Sequence, residues 1–252
     1  MWLRFFILSE VVSLINTLAE NRFSLLSGSM LKLIAVLCMT IDHAAAILWP
    51  VIDVMRIPFT IWGKVINLYW IMRKIGRLAF PIFCFLISEG YVHTKNKAQY
   101  GLRLLIFAII SEIPFNLLHG NAFFDLSGQN VFFTLFFGLL LIHIYEAEGN
   151  HLKKLILMVA VSIATSLLKT DYGLHGALLV FLIYLFRNTP SVQALLAFPL
   201  LSGGFAAWLA FVPINLYNGK RGFIKTPFLK LLFYIFYPFH ILVLFGIRHI
   251  VK

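Results

Sequence analysis

Charge is scarce in this chain, and acid is scarcest. Of 252 residues only 12% are charged, with 10 Asp and Glu against 21 Lys and Arg, a formal balance of +11. A soluble domain of this length needs more polar surface than that, so a water-exposed globule is excluded. Cysteine is equally sparse. Cys38 and Cys84 are the two in the sequence, both inside apolar runs and without a CxxC partner, which gives no basis for a disulfide scaffold, a zinc site or attached haem. Strict polar/apolar alternation is lacking too, and with it the signature of a membrane β-barrel. No internal repeat or low-complexity tract stands out.

What remains is hydrophobic: 61% of the residues, with aromatics making up 16% of the chain, and a mean hydropathy of +0.90. Peptide groups in hydrocarbon find no water, so long unbroken apolar runs imply helices. The expected fold is an all-α polytopic bundle of about nine to ten spans, in a cell (cytoplasmic) membrane. Residues 1–29 carry apolar side chains at helical spacing opposite Arg4, Glu10, Ser13 and Glu20, and predict an interfacial helix ahead of one membrane domain, 30–252. Spans are predicted at 31–52, 78–92, 102–118, 131–145, 155–168, 173–186 and 228–247. A stretch from 191 to 216, broken at "SGG", has the length of a hairpin crossing twice. Residues 57–72 are short for a span and hold Lys64 and Asn67; they are either a tenth crossing or an interfacial or re-entrant segment.

Basic loops orient the chain. With nine crossings and 53–76 outside the count, the N-terminus, "HTKNK" (93–97), "EGNHLKK" (148–154), Arg187 and "NGKRGFIK" (218–225) share the cytoplasmic side, and "HGNAFFDLSGQ" (119–129) faces away without a single Lys or Arg. The positive balance therefore reports topology and a possible anionic ligand rather than nucleic acid.

Ionisable groups at membrane depth cost at least ~2.5 kcal/mol each on insertion scales, which makes them functional candidates. "MTIDHAAAIL" (39–48) sets Asp42 beside His43, 11 residues or roughly 17 Å past Lys32. Glu112 falls at similar depth in "FAIISEIPF". A carboxylate holding an imidazole that removes a proton is a general-base arrangement for acyl transfer; the plainer reading pairs each acid with an arginine. Glu89, near the end of its span, suits a structural ion pair. His240, behind Tyr237 and Pro238, is balanced between packing and a supporting or acceptor-side role. Arg73 and Arg77, four apart on one helical face, suit a phosphate or carboxylate, or plain interface anchoring. "YNGKRG" (217–222) adds Asn218, Lys220 and Arg221 in a glycine-flanked turn, a second candidate phosphate holder. Asn130 and Asp171 look first like helix caps, then like acceptor contacts.

Taken in order, "LKLIAVLCMTIDHAAAIL", "GRLAFPIFCFLISEGYVHTKN", "LRLLIFAIISEIPFNLL", "GQNVFFTLFFGLLL", "DYGLHGALLVFLIYLFR", "YNGKRG" and "FYIFYPFHILVL" resemble the TraX family, named for the F-pilin acetylase. The resemblance covers most of 31–247. It implies the wider membrane acyltransferase superfamily, in which about ten helices bring acyl-CoA to an acceptor at a buried histidine. Acetyl-CoA is the implied co-substrate, with no metal; the acceptor is an amine or hydroxyl of a peptide, sugar or small molecule. His43 matches the family's first-span histidine, with Asp42 beside it, and Arg73 and Arg77 match its paired arginines, there associated with CoA phosphates. The nine-span topology instead favours Lys95, Lys97, Arg103, Lys220 and Arg221 for CoA. Glu112 joins Asp42 as a candidate partner of the base. A proton-coupled transporter using Asp42, His43, Glu89 and Glu112 as a relay is the competing expectation.

Overall fold

The computed structural model describes residues 24–120, 123, 125 and 127–251; the interfacial helix expected over 1–29 lies, but for its last six residues, outside them. Those six residues belong to the bundle. Ser27 caps α1 (Gly28–Leu48), its hydroxyl accepting from the Met30 N–H at 3.3 Å. Leu26 pairs with Tyr217, and the Gly28 and Ser29 amides donate to the Lys220 and Arg221 carbonyls at 2.8 and 2.9 Å. The turn 217–222 thus straps the start of α1 to the last helix. Its glycine at 222 has φ +83, and a Cβ there would sit 2.4 Å from Ser27 Oγ, so both backbone angle and space demand glycine.

After α1 the chain makes a hairpin, β1 (Phe59–Ile61) and β2 (Lys64–Ile66), turned by Trp62 and Gly63 at φ 47 and 74. Two successive positive φ angles are what a tight two-residue hairpin turn requires. Residues 57–66 are therefore not a tenth crossing. Asn67 then caps α2 (Leu68–Gly76), accepting from the Trp70 N–H at 2.9 Å, and α2 runs almost directly into α3 (Ala79–His93). Together they form one apolar helical segment from Leu68 to His93. The span predicted at 78–92 thus begins about ten residues earlier, and Arg73, Lys74 and Arg77 lie within it.

The rest follows as α4 (Lys97–Gly120), α5 (Val131–Glu146), α6 (His151–Leu167), α7 (Gly173–Leu185), α8 (Pro190–Ala197), the short α9 (Phe205–Trp208) and α10 (Phe211–Asn215), and α11 (Pro227–Val251). Four segments, Gly28–Leu48, Leu68–His93, Lys97–Leu118 and Pro227–Val251, are long and apolar enough to cross a bilayer. The others are shorter. Pro190–Leu200 and Phe205–Asn215 are the two arms of the expected hairpin, each only roughly 16 Å long at helical rise, well short of a ~30 Å hydrocarbon core. Their connecting turn reaches Arg77: a Cβ on Gly203 would lie 2.9 Å from Arg77 Cβ.

Close approaches hold the bundle together. α5 and α7 pack most extensively, through Gly138, where a Cβ would come within 2.6 Å of Val180 Cβ. Leu31, Ile47, Ile82, Leu104, Ile142, Leu179, Ile183 and Ile241 make a continuous, fully buried core across α1, α3, α4, α5, α7 and α11. The bundle has two chemically different ends. The starts of α1, α4 and α11, the end of α3 and the 217–222 strap share one end, rich in Lys and Arg. The β hairpin and the bridge of Gln129 with Thr170 mark the other.

Candidate functional site

A cavity of about 690 Å³ opens at the basic end among α1, α3, α4, α5 and α11. Four cations line its mouth, Lys32, Arg103, Arg221 and Lys230, together with Thr94 and Gln99. No acidic residue appears among the described lining residues. Each cation sits one to two helical turns into its element or on the strap, so the mouth is built by three separate helices and a turn. Arg103 lies over the Tyr100 ring at 5.8 Å, and Lys32 over Phe233 at 5.9 Å, contacts that hold the long stems against the wall. Below the mouth the walls turn apolar and aromatic, with Val36, Leu86, Tyr234 and Leu135 leading to a floor of Met39, Phe83, Phe132 and Tyr237. From Lys32 to Met39 on α1, and from Lys230 to Tyr237 on α11, the descent is seven residues, roughly 10 Å.

One turn beyond that floor stand His43 on α1 and His240 on α11. His43 Nδ1 and His240 Nε2 are 2.7 Å apart. Their rings are tilted by only 6° with centroids at 4.9 Å, the separation of two imidazoles meeting edge to edge in one plane. Tyr237 presents its ring obliquely to both, 6.0 Å from His43 and 5.9 Å from His240, and so stands between the cavity and the histidine pair. Phe236 stacks on His240 at 4.9 Å and 9°.

The acids expected around His43 go elsewhere. Asp42 Oδ2 accepts from Arg73 Nη1 at 2.6 Å, and Arg77 is near enough to act on the same carboxylate. Neighbours in a helix diverge by about 100°, which lets Asp42 face α2 while His43 faces α11. Glu112 accepts from the Asn130 backbone N–H at 3.0 Å and from the Asn130 side-chain amide. Asn130 in turn donates to the Ala108 carbonyl at 2.7 Å and caps α5 through the Phe132 N–H at 3.0 Å. Glu112 and Asn130 therefore fix the start of α5, which carries the floor residue Phe132. Glu89 bonds His93 at 3.3 Å. Burial and this same Glu89 push the Tyr217 hydroxyl up to about 12, so Tyr217 stays protonated and able to donate to the carboxylate. The four groups of the supposed relay thus hold four different partners.

The basic candidates also divide. Arg103 and Arg221 line the cavity; Arg73 and Arg77 do not, being held on α2 and just beyond it by Asp42 and by the 201–204 turn. Lys220 is exposed beside the mouth rather than in it, and its amide is taken by Asn218 Oδ1 at 2.9 Å, while the Asn218 amide donates to Leu26. These two turn amides serve the strap. Asp171, exposed at the opposite end, donates its amide to the Gln129 carbonyl at 2.8 Å. Lys32, Lys230 and Tyr100 are site residues that sequence reasoning passed over. The signal was present: Lys32, Arg103 and Lys230 each interrupt an apolar helix within two turns of an end that the basic loops already placed on one side.

Known proteins resemble this chain over stretches of different length. The family model described as "TraX: TraX protein" matches residues 27–248. The "Probable fimbrial assembly protein FimC, serogroup H1" of Dichelobacter nodosus is 28% identical over 246 residues, covering 86% of this chain and 94% of that protein. The "Uncharacterized protein RP591" of Rickettsia prowazekii (strain Madrid E) is 33% identical over 84 residues, which is 33% of this chain and 25% of that one. No solved structure matches.

Proposed function

Because this chain belongs to the TraX family, we propose that it is a membrane acetyltransferase that takes acetyl groups from acetyl-CoA and places them on an amine or hydroxyl, with a fimbrial subunit as the favoured acceptor. The observation that carries this reading is the cavity: a mouth of four cations, with no acidic residue among the described lining residues, above an aromatic shaft that stops one turn short of the half-buried His43 and the buried His240. A cationic mouth suits the phosphates of CoA, and an apolar, aromatic shaft suits a pantetheine arm. The fimbrial acceptor is drawn from the printed name of the Dichelobacter nodosus relative.

In this mechanism the basic end faces the cytoplasm, where CoA is found. The nucleotide phosphates rest among Lys32, Arg103, Arg221 and Lys230, and the thioester reaches the floor at Tyr237. His43 takes the proton of the acceptor amine or hydroxyl as its nitrogen or oxygen attacks the thioester carbonyl. The C–S bond then breaks, the thiolate leaves, and the imidazolium returns the proton to sulfur to give CoA. Arg73 and Arg77 stabilise Asp42 and the short hairpin instead of binding the nucleotide.

The test uses purified full-length protein in nanodiscs, titrated with CoA by calorimetry and then given acetyl-labelled acetyl-CoA with a synthetic peptide bearing a free N-terminus. Saturable CoA binding is expected in the wild type and in His43→Ala, with label transfer in the wild type alone. Absence of CoA binding to the wild type overturns the proposal, as does full transfer by His43→Ala.

A further inference from the structure

The hydrogen bonds around His240 dictate where the protons sit on His43. His240 Nδ1 lies 2.7 Å from the carbonyl oxygen of Phe236. A carbonyl only accepts, so Nδ1 of His240 carries the hydrogen. In the neutral ring, Nε2 of His240 is then the lone-pair nitrogen. That nitrogen is 2.7 Å from His43 Nδ1, and two lone pairs cannot face one another at that distance, so the shared hydrogen belongs to His43 Nδ1. The remaining nitrogen of neutral His43, Nε2, is left as the basic one.

We infer that His240 is a positioning residue that locks His43 in its Nδ1–H tautomer and so makes Nε2 of His43 the proton-accepting atom. This deepens the acetyl-transfer reading, on which it rests for the meaning of that base. The lock is built into α11. Pro238 removes the N–H that would bond the Tyr234 carbonyl and loosens the turn in which Phe236 and His240 lie. Phe236 stacked on one side and Tyr237 set obliquely beside it hold the His240 ring in the plane of His43.

The arrangement gives His43 an orienting partner that is not a carboxylate. When Nε2 of His43 takes a proton, the Nδ1–H donates more strongly to His240, whose own Nδ1–H is anchored on a backbone carbonyl and whose Nε2 is thereby made a better acceptor. A neutral imidazole does the orienting that a carboxylate does in other bases, and it does so without a second buried charge at membrane depth, where each charge is expensive. Asp42 is left to pair with Arg73.

The test is nitrogen NMR on full-length protein labelled with ¹⁵N-histidine in nanodiscs at a pH where the histidines are neutral, assigned with His43→Gln and His240→Gln. In the wild type, His43 is expected to carry hydrogen on Nδ1, with a measurable coupling across the hydrogen bond between His43 Nδ1 and His240 Nε2. His240→Leu should move the hydrogen to Nε2 of His43, whereas His240→Gln, whose amide oxygen accepts the same N–H, should keep it on Nδ1. A wild-type His43 protonated on Nε2, a missing cross-bond coupling, or an unchanged tautomer in His240→Leu each overturns the inference. The wild-type spectrum decides even if His240→Leu does not fold. If the peptide assay succeeds, His240→Leu should lose on the order of 10²–10⁴ in turnover with CoA affinity unchanged, and His240→Gln should recover a large part of it. Failure of CoA binding with the tautomer intact removes the functional reading and leaves the lock standing.

Discussion

Four cations meet at the cavity mouth without an acidic residue among the described lining residues. Lys32, Arg221 and Lys230 are close enough for each to feel its neighbours' charge, and Lys230 feels Arg103 as well. The cations at the mouth therefore repel one another, and an anionic ligand would relieve that repulsion, so a single removal should act in opposite directions on stability and on binding. A charge-assisted hydrogen bond to a phosphate contributes ~1.5–3 kcal/mol, which corresponds to roughly 10- to 150-fold in dissociation constant. The mouth is open to solvent, so the lower end of that range applies to Lys32→Met and to Arg103→Gln, about tenfold each. The double variant should fall by less than the product, since the two side chains serve one ligand. Calorimetry with CoA at 50 and 300 mM salt measures this, and the wild-type affinity should drop with salt more steeply than that of either variant. Thermal unfolding of the ligand-free protein should show Lys32→Met slightly more stable than wild type. Lys153→Met with Lys154→Met, at the exposed start of α6, is the control for general surface charge. Equal loss in that control, or an unchanged affinity in the Lys32/Arg103 double variant, refutes the assignment of the mouth as a phosphate site.

Two further predictions concern the elements that shape the site. Gly76→Ala would place a methyl 2.2–2.4 Å from Oδ1, Cβ and Cγ of Asp42, so α1 and α2 must part and the Asp42–Arg73 pair must loosen; overpacking of this kind costs ~1–3 kcal/mol, and unfolding in detergent should fall by roughly 2–12 °C, while Gly246→Ala, with open space around its Cβ, should not fall. Asn130→Ala removes the cap of α5, worth ~1 kcal/mol, and also strips Glu112 of the bond given by the Asn130 side-chain amide. The Asn130 backbone N–H survives the change, so the added loss is that of the side-chain donor, on the order of 1–3 kcal/mol, and Glu112→Gln should partly restore the melting temperature in the Asn130→Ala background.

How far the sequence revealed this molecule can be read from a few residues. The apolar runs in α1, α4 and α11 were plain because hydrocarbon demands continuous hydrophobicity over some twenty residues. α2 was hidden because Arg73, Lys74 and Arg77 broke its run, and only the fold shows that Asp42 on another helix accommodates Arg73. The hairpin at 59–66 had a local signal, a glycine at 63 between β-branched residues, that its high hydrophobicity obscured. At the site, His43 was visible from depth alone. His240 was one of three candidates for its partner, beside Asp42 and Glu112, and since it lies 197 residues away no local pattern could choose it. Adjacency in sequence kept Asp42 among the candidates, and helical geometry turns adjacent side chains apart.

Sidedness ties the cavity to its ligand and is the remaining link that a direct measurement can break. α1, the α2–α3 segment and α4 run alternately up and down the bundle, and the strap joins the start of α1 to the loop before α11, so Lys220 and the cavity mouth share one end while the β hairpin lies at the other. The native thiols do not interfere, since Cys38 is 8% exposed and Cys84 is fully buried. Single cysteines at Lys220 and at Val65, the latter 72% exposed on β2, should therefore report opposite faces of the membrane. In intact cells a membrane-impermeant maleimide is expected to label Val65→Cys and to spare Lys220→Cys, which should react only after the membrane is opened. The opposite pattern would put four cations and the shaft beneath them on the side where no CoA is supplied. The geometry of the histidine pair would survive that result, but acetyl-CoA could no longer be the molecule that reaches it from the basic end.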